Sequence, residues 1–475
     1  MKRTKIILSV VLAFILALSP LVITAATVLA TPNVYEDTMY GALHGKLERL
    51  TKTEGERIIV VGGSSVAFGL DSELLESYLG MPVVNFGLYA ALGTKMMLDL
   101  SLSGVREGDV VVIAPELSAQ TLSLYFNSES ALAALSSDYS MIRYIRGNDR
   151  LSLLGGLWSH AADKLRLSAE RPTVQGIYKK DSFNTYGDIK KGIRKENVMQ
   201  LYYDPTTEIE LDGKIFSENF ISYLNDYAKE CESRGATVYF SYCPMNSEAI
   251  ADSTDTAKKN LADFLGERLD FELISFIDDY IYDRAYFYDT NFHLNDTGVE
   301  LRTKKLAQDL LIATGELTLI DTAVAPPPLP EIDTRYFGEA DENAAHFTYE
   351  KLDNGAYAIS GVKDSSLSLE ALTLPVAHEG YKVTAILDGA FVGVGNKRVI
   401  ITENSNIRNL LDGSFRDTGG VELYIHYTFT DENEKLSPPS DFFGTVVHVP
   451  KNSIYCTHYD WQDSSSGFIL VDDIE

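Results

Sequence analysis

The sequence predicts an α/β protein in which a parallel, doubly wound sheet is followed by a smaller, β-rich domain. Three observations lead to this prediction. First, an apolar, β-branched run at residues 58–61 leads into a Gly-Gly-Ser-Ser turn and then a helical pattern. Second, strand-like apolar runs alternate with amphipathic helical runs up to residue 314, as in parallel sheets. Third, a Pro-rich segment at 325–330 precedes a region of short β-like runs.

The amino-terminal residues 1–34 are predicted to be a membrane anchor. Three cations among the first five residues precede an uncharged run at 6–30. That run is long enough to span a bilayer, and the cations favour a cytoplasmic start. The alternative is a cleaved signal peptide, because Val-Leu-Ala at 28–30 resembles a cleavage site. In both cases the rest of the chain is expected outside the cytoplasm, either anchored at the membrane or secreted.

The α/β domain is assigned to residues 35–318. Asp71 and Ser72 can cap the helix that follows the glycine-serine turn, and Gly80 can end it. Residues 120–215 break the alternation of strands and helices, and we interpret them as an insertion that caps the carboxyl edge of the sheet. The other predicted strands are 82–88, 109–114, 237–242 and 271–276, and the other predicted helices are 91–102, 220–232, 256–269 and 296–314, the last with Asp296 as its N-cap.

The carboxyl-terminal domain is assigned to residues 345–475, after a stiff, Pro-rich linker at 319–344. Two stretches in it, VTAILDGAF at 383–391 and IRNLLDGSF at 407–415, repeat an Asp-Gly-x-Phe motif 24 positions apart. This period lies in the range of leucine-rich repeats, and the pattern resembles the BspA-like leucine-rich repeats of bacterial surface proteins. The alternative is an ordinary β-domain in which the likeness arises by chance.

Charge and cysteine usage exclude several classes of function. The 475 residues include 41 Lys+Arg and 68 Asp+Glu, which gives a formal net charge of −27. Such a surface repels phosphate backbones, so no nucleic-acid partner is expected. Cys231, Cys243 and Cys456 lack zinc-binding spacing and can form at most one disulfide. Because no histidine or cysteine cluster has metal-ligand spacing, neither a metal nor a cofactor is expected.

The glycine-serine turn holds the candidate nucleophile, Ser65, because open α/β sheets place their chemistry at the carboxyl ends of their strands. A serine needs a base that is itself oriented. His293 lies just before the last helix of the same domain, and Asp289 can turn back to its ring. Of the other histidines before the linker, His44 is expected in solvent and His160 in packing. The alternatives for the turn are tight geometry alone or a phosphate cradle, although it lacks the lysine of a P-loop.

Together, Gly63-Ser64-Ser65, Asn85-Phe86-Gly87 and Asp289…His293-Leu294-Asn295 resemble the SGNH (GDSL-like) hydrolase superfamily, and most closely its extracytoplasmic branch of DltD-like and AlgX/AlgJ-like proteins. The resemblance covers about residues 35–315. It implies a three-layer, flavodoxin-like α/β/α fold in which Ser65 is the nucleophile, His293 the general base and Asp289 its orienter. It also implies an oxyanion hole made by the backbone amides of Ser65 and Gly87. Asn85 is expected to brace the turn rather than donate to the oxyanion.

Two positions differ from the family pattern. Three residues instead of two separate Asp289 from His293, so Asn291 or a backbone carbonyl is an alternative orienter. The third-block Gly-x-Asn is replaced by Ala114-Pro115-Glu116, which removes one expected oxyanion donor. Glu116 is expected to position a sugar hydroxyl or a water, or to cap a helix.

The sequence therefore predicts a cell-surface serine esterase or O-acyltransferase that forms an acyl-enzyme at Ser65. The resemblance implies acyl esters of cell-envelope carbohydrate, above all acetyl esters, as its substrates. The alternative is a catalytically inactive surface scaffold whose repeat domain binds glycan or protein.

Overall fold

The computed structural model describes residues 2–170, 174, 176–429, 434–439, 442, 445–456, 461 and 468–474. The helices are α1 (Lys2–Ala30), α2 (Ala42–Lys52), α3 (Ser64–Phe68), α4 (Ser72–Leu79), α5 (Thr94–Ser101), α6 (Ser128–Ala134), α7 (Asp149–Glu170), α8 (Glu218–Ser233), α9 (Asp255–Arg268) and α10 (Asp296–Ala313). The side chains of α1 are described from Leu16 onward. Among the described residues, none of the helices has the length and apolar character needed to cross a membrane.

The strands fall into two groups, one on each side of residues 314–346. The first group is β1 (Ile58–Gly62), β2 (Val83–Gly87), β3 (Val110–Ile113), β4 (Thr237–Phe240), β5 (Met245–Asn246), β6 (Glu272–Leu273) and β7 (Ile281–Tyr282). The second group is β8 (Phe347–Lys351), β9 (Tyr357–Val362), β10 (Ala371–Thr373), β11 (Ala377–His378), β12 (Tyr381–Ile386), β13 (Arg398–Ile401), β14 (Asn409–Leu410), β15 (Glu422–Ile425), β16 (Val446–Pro450) and β17 (Ile469–Ile474).

The main sheet contains five parallel strands in the order β2-β1-β3-β4-β6. Successive side chains of a strand point to opposite faces, and both faces of this sheet are apolar. Ile59 and Val61 pack with residues of α2, α5 and α8, whereas Ile58 and Val60 pack with residues of α4 and α10. The sheet therefore lies between two helical layers, and the predicted mixed α/β class with a parallel sheet is confirmed.

The last helix of this domain starts differently from the prediction. Asn295 is its N-cap, because the Asn295 side chain accepts a hydrogen bond of 3.0 Å from the amide of Gly298. The prediction of Asp296 as N-cap was wrong by one residue. Asp296 is the first helical residue, and its carboxylate accepts from the amide of Gly192 in the insertion at 2.7 Å.

The insertion at 120–215 contains α6 and α7. The sequence did not predict α7, because its apolar residues do not repeat with a clean helical period. A later part of the insertion returns to β2 and to α3. The amide of Asn85 donates to the carbonyl of Tyr186 at 3.3 Å, and the amide of Ile189 donates to the carbonyl of Ala67 at 3.1 Å. These contacts fix the insertion against the segment that carries Ser65.

The carboxyl-terminal region is β-rich, as predicted. Strands β10, β13, β15, β16 and β17 form a parallel ladder, and its register advances 24 residues per step from Arg398 to Glu422 to Val446. The repeated phenylalanines, Phe391 and Phe415, stack with their ring centroids 5.1 Å apart. The structural repeat thus continues beyond the two copies that are visible in the sequence.

The backbone conformation of the two repeated turns explains why each contains a glycine. Gly389 and Gly413 adopt φ values of 70° and 74°, a left-handed conformation that side chains rarely tolerate. The amide of Gly389 donates to the carbonyl of Gly413 at 2.9 Å, so the two equivalent turns lie one above the other. The recurring Asp-Gly-x-Phe motif therefore marks a stacked turn.

The two domains have separate apolar cores, but they touch. The hydroxyls of Tyr202 and Tyr286 donate to the carbonyls of Pro330 and Val324 in the linker, both at 2.5 Å. The side-chain amide of Asn354 donates to the carbonyl of Gln200 at 3.1 Å. The linker therefore lies against the insertion and the segment before α10, and the repeat domain contacts the insertion.

Candidate active site

The turn after β1 is tight, because β3 and its following residues approach it closely. A Cβ on Gly62 would lie 2.5 Å from the carbonyl oxygen of Ala114, and a Cβ on Gly63 would lie 2.3 Å from Oε2 of Glu116. Glycine is therefore required at position 62, where the neighbour is backbone, whereas a side chain at position 63 would displace the Glu116 carboxylate. The turn leads directly into α3, whose first two residues are Ser64 and Ser65.

The two serines occupy different surroundings. Ser65 is fully buried, and its Oγ has no hydrogen-bond partner among the described residues. Its amide donates to Oε1 of Glu116 at 2.6 Å, and its carbonyl accepts from Nη1 of Arg302 at 3.0 Å. Ser64 is 8% exposed, lines a cavity, and lies 3.3 Å from Oε1 of Glu116 through its Oγ. The structure thus leaves the Ser65 hydroxyl unpaired beneath the cavity floor.

The loop before α10 brings Asp289 to the ring of His293. The amide of Tyr288 donates to the carbonyl of His293 at 2.8 Å, which closes the loop so that residues four apart face each other. Oδ1 of Asp289 lies 2.8 Å from Nδ1 of His293. The hydroxyl of Tyr178, from the insertion, donates to Oδ2 of the same carboxylate. The carboxylate of Asp289 and the imidazole of His293 are therefore paired, although three residues rather than the family's two separate them.

Asp289 is held in its ionised form. Burial opposes the ionisation of Asp289, but the charge and hydrogen bond of His293 outweigh that effect. The Lys435 ammonium and the Tyr178 hydroxyl add smaller contributions. Together these groups hold the pKa of Asp289 below its usual range. Because a carboxylate can only accept a hydrogen bond, the ring proton of His293 belongs on Nδ1. Nε2 makes no hydrogen bond with any described residue and is left as a proton acceptor.

The imidazole lies against the helix that carries the serines. The rings of His293 and Phe68 are stacked, with centroids 4.1 Å apart and planes at 7°. Ser64 and Ser65 precede Phe68 by four and three residues, spacings that put side chains on one face of a helix. The stacking therefore holds the imidazole against α3, the helix that begins with the two serines.

The N–H groups of the expected oxyanion hole already have acceptors. Glu116 accepts from the amide of Ser65, and Oδ1 of Asn85 accepts from the amide of Gly87 at 3.1 Å. The side-chain Nδ2 of Asn85 donates to the carbonyl of Val66 at 3.0 Å, so Asn85 ties β2 to α3. The Glu116 carboxylate occupies the position at the start of α3 where an oxyanion would bind, and its Oε2 is buried without a partner among the described residues.

Asn291 lies near the pair but does not contact the imidazole. Its side-chain amide donates to the carbonyls of Asp204 and Thr207, both at 2.7 Å, and its Oδ1 accepts from the amide of Asp204 at 2.7 Å. Asn291 therefore attaches the insertion to the histidine loop. The other two histidines before the linker lie elsewhere. His44 is exposed. His160 belongs to α7, and its ring stacks on the ring of Tyr35.

A cavity of about 390 Å³ opens above this cluster, within the range of small-molecule sites. Three parts of the chain line it. The α/β core contributes Ser64, Glu116, Asp289 and His293; the insertion contributes residues such as Thr121, Met199 and Tyr203; the carboxyl-terminal domain contributes Arg408, Asn409, Lys435 and Ser437. The insertion and the repeat domain together cover the edge of the sheet.

Several residues of this site have no recognisable pattern in the sequence. Tyr178 lies in the irregular insertion, and Phe68 and Arg302 are ordinary members of helices. Arg302 is fully buried beneath α3, where burial lowers its pKa. Each acquires its place through contacts between distant segments, so only the fold reveals it.

Among the described residues, no group of three or more histidine, cysteine, aspartate or glutamate side chains is arranged to hold a metal ion. The three cysteines are buried free thiols. No protein-family model matches the chain, and no curated protein matches it significantly.

Proposed function

We propose that this protein is a serine esterase or O-acyltransferase that forms an acyl-enzyme at Ser65. The observation that carries the proposal is the Asp289–His293 pair, stacked on the short helix that begins with two serines, at the floor of a cavity. An oriented imidazole beside a serine on a strand-to-helix turn is the arrangement that activates a hydroxyl for acyl transfer.

The proposed chemistry starts from the imidazole that Asp289 orients. Nε2 of His293 takes the proton of the Ser65 hydroxyl as Oγ attacks the ester carbonyl carbon, and the resulting imidazolium is stabilised by Asp289. The imidazolium then protonates the departing alkoxide, leaving the acyl group on Oγ. Water or a second hydroxyl, deprotonated by the same nitrogen, attacks the acyl carbon and regenerates the serine. Water as acceptor gives an esterase, and a sugar hydroxyl gives a transferase.

The strand order also supports the proposal. With β6 counted as its fifth strand, the main sheet has the order 2-1-3-4-5, which is that of flavodoxin-like folds. This is the fold that the resemblance to SGNH hydrolases implies. Two features support placing the enzyme outside the cytoplasm at the cell envelope, with acylated carbohydrate as substrate. One is the cationic first residues followed by an apolar segment. The other is the repeat domain, which resembles those of bacterial surface proteins.

A binding or scaffold role is the second candidate, and one observation favours it. Both N–H groups of the expected oxyanion hole already have acceptors, and the Ser65 hydroxyl is fully buried. A site that stays in this arrangement would not stabilise a tetrahedral intermediate. The repeat domain would then carry the function by binding glycan or protein.

Labelling with a fluorophosphonate distinguishes the enzyme from the binding or scaffold protein. The full chain is treated with the probe, and the modified peptide is identified by mass spectrometry, with heat-denatured protein as control. Labelling of the native chain on the peptide with Ser65, together with turnover of aryl acetates, is the expected result. No labelling and no turnover would favour the scaffold role.

Replacing Glu116 by glutamine is expected to raise kcat for small acyl esters by about tenfold, because the change removes a negative charge from the position of the oxyanion and supplies an amide donor there. Glu116→Ala removes the charge without adding a donor, so its gain is expected to be smaller. Steady-state kinetics checks both, and thermal melting checks that each variant folds. A tenfold or larger loss in Glu116→Gln would instead show that the carboxylate itself takes part in the chemistry.

A further inference from the structure

The long helix of the insertion, α7, turns an apolar face to the outside of the protein. Four large apolar side chains of α7 are exposed, and they follow one another after three, four and seven positions. Side chains at such spacings share one face of a helix. We call this set the apolar stripe, and its members are Leu151, Leu154, Trp158 and Leu165. From 151 to 169 the other exposed positions hold glycine, alanine and a single serine.

The face of α7 that packs on the protein mixes apolar residues with buried polar ones. His160 and Lys164 are 1% and 2% exposed. His160 pairs with the hydroxyl of Tyr139 at 2.8 Å, and Nζ of Lys164 donates to the carbonyl of Val28 in α1 at 2.7 Å. A surface helix of a protein in water buries its apolar face and exposes its polar face. That arrangement is partly reversed in α7, which indicates an apolar environment outside the stripe.

The bond from Lys164 joins α7 to the end of α1, the segment predicted to be a membrane anchor. Thr24 and Val28 of α1 are buried, whereas its exposed large apolar side chains are Leu16, Leu18, Leu21, Val22, Ile23 and Leu29. Because α1 has 29 residues, it is about 43 Å long, which exceeds the ~30 Å hydrocarbon core of a bilayer. A bilayer crossed by the start of α1 would therefore have its surface near Val28, at the level of α7.

The segment that contains α7 is basic, although the protein as a whole is acidic. Residues 141–166 include five Lys+Arg and two Asp+Glu, in a chain whose formal net charge is −27. Both acidic residues of this segment, Asp149 and Asp163, are already in ion pairs. Arg143 and Arg150 are exposed, and neither forms an ion pair with another described residue. This local charge is complementary to the anionic headgroups of a lipid bilayer.

We propose that α7 lies in the plane of a membrane surface with its apolar stripe among the lipids, so that the protein contacts the bilayer through this helix as well as through its amino-terminal segment. Leucine and tryptophan on one face, with basic residues nearby, are typical of helices that bind bilayers in this way, and tryptophan is enriched at membrane–water interfaces. The insertion that carries α7 also lines the cavity. The contact therefore keeps the cavity close to the membrane surface, whether or not the site is catalytic.

Tryptophan fluorescence tests the proposal on the full chain. The sequence contains two tryptophans, and Trp461 is buried in the core of the repeat domain, so quenching by lipid reports on Trp158. The chain is reconstituted from detergent into vesicles of phosphatidylcholine and phosphatidylglycerol in equal parts, with and without bromine on the acyl chains. Brominated lipid is expected to quench Trp158, whereas acrylamide in the water is expected to leave it unquenched. Trp158→Phe is expected to remove the emission that lipid quenches.

Two double variants show whether the stripe makes the contact. Leu154→Gln, Leu165→Gln changes the stripe, and the matched control Leu317→Gln, Leu319→Gln changes two exposed leucines after α10. The stripe variant is expected to lose most of the lipid quenching and to become open to acrylamide, whereas the control is expected to match the wild type. Thermal melting checks that both variants fold.

Three results would overturn the proposal. The first is quenching of wild-type Trp158 by acrylamide in the vesicles, which would place the stripe in water. The second is protection from acrylamide without quenching by lipid, which would show that protein, such as a second copy of this chain, covers the stripe. The third is unchanged lipid quenching in the stripe variant, because the stripe would then not hold α7 at the bilayer.

Discussion

Replacing Ser65 by alanine is expected to abolish fluorophosphonate labelling and to lower kcat for aryl acetates by about 10⁵-fold or more, the size of the loss when a serine hydrolase loses its nucleophile. The stability of the fold is not expected to decrease. The Ser65 hydroxyl is buried without a partner, so its removal deletes an unpaired polar group, which is neutral or stabilising. The variant should therefore melt at the same temperature as the wild type or higher.

Ser64→Ala is the matched control for this prediction. Ser64 begins the same helix and lines the cavity, but it has only a long contact of 3.3 Å to Glu116. Its loss is expected to leave labelling in place. If labelling disappears in Ser64→Ala and persists in Ser65→Ala, the nucleophile is Ser64 and the assignment from the sequence motif is wrong.

Replacing His293 by alanine is expected to lower kcat by at least about 10³-fold, since the proposed mechanism then loses its general base. Asp289→Asn should cost a similar factor, because an amide in that position can donate to Nδ1 and favour the wrong tautomer. Rates with an aryl acetate, measured at saturating substrate, report both effects.

His160→Ala controls for loss of a buried histidine. His160 is 1% exposed, pairs with the hydroxyl of Tyr139 at 2.8 Å and lies outside the cavity. Burial lowers its pKa to about 4, so it is neutral near pH 7. Its replacement is expected to lower the melting temperature while kcat stays near the wild-type value. A near-normal rate in His293→Ala would remove that residue from the mechanism.

The parallel sheet could be predicted from short stretches because its cause is local. The apolar, β-branched run that forms β1 has no polar alternation, which indicates a strand buried on both faces, and α4 begins and ends as its Asp71 cap and Gly80 predict. Asp289 could be associated with His293 for the same reason, since residues four apart meet within a single loop. The Asp-Gly-x-Phe repeat likewise marked a stacked turn from its own residues.

The contacts between distant segments could not be predicted in this way. Nothing in the insertion marks Tyr178 as the residue that reaches Asp289, and nothing in the repeat domain marks Arg408 as part of the cavity wall. Glu116 was expected near the site, but its position on the amide of Ser65 depends on the packing of β3 against the turn.

The sequence alone determined most elements of the α/β core, the class of fold and the serine and histidine to compare, because strand burial, helix capping and turn chemistry depend on neighbouring residues. Only the tertiary structure decided which groups meet around Ser65, that the Glu116 carboxylate accepts from the Ser65 amide, and that the repeat domain contributes to the lining of the cavity. Those outcomes depend on how segments 51 or more residues apart pack together, and packing of that kind leaves no periodic trace in the chain.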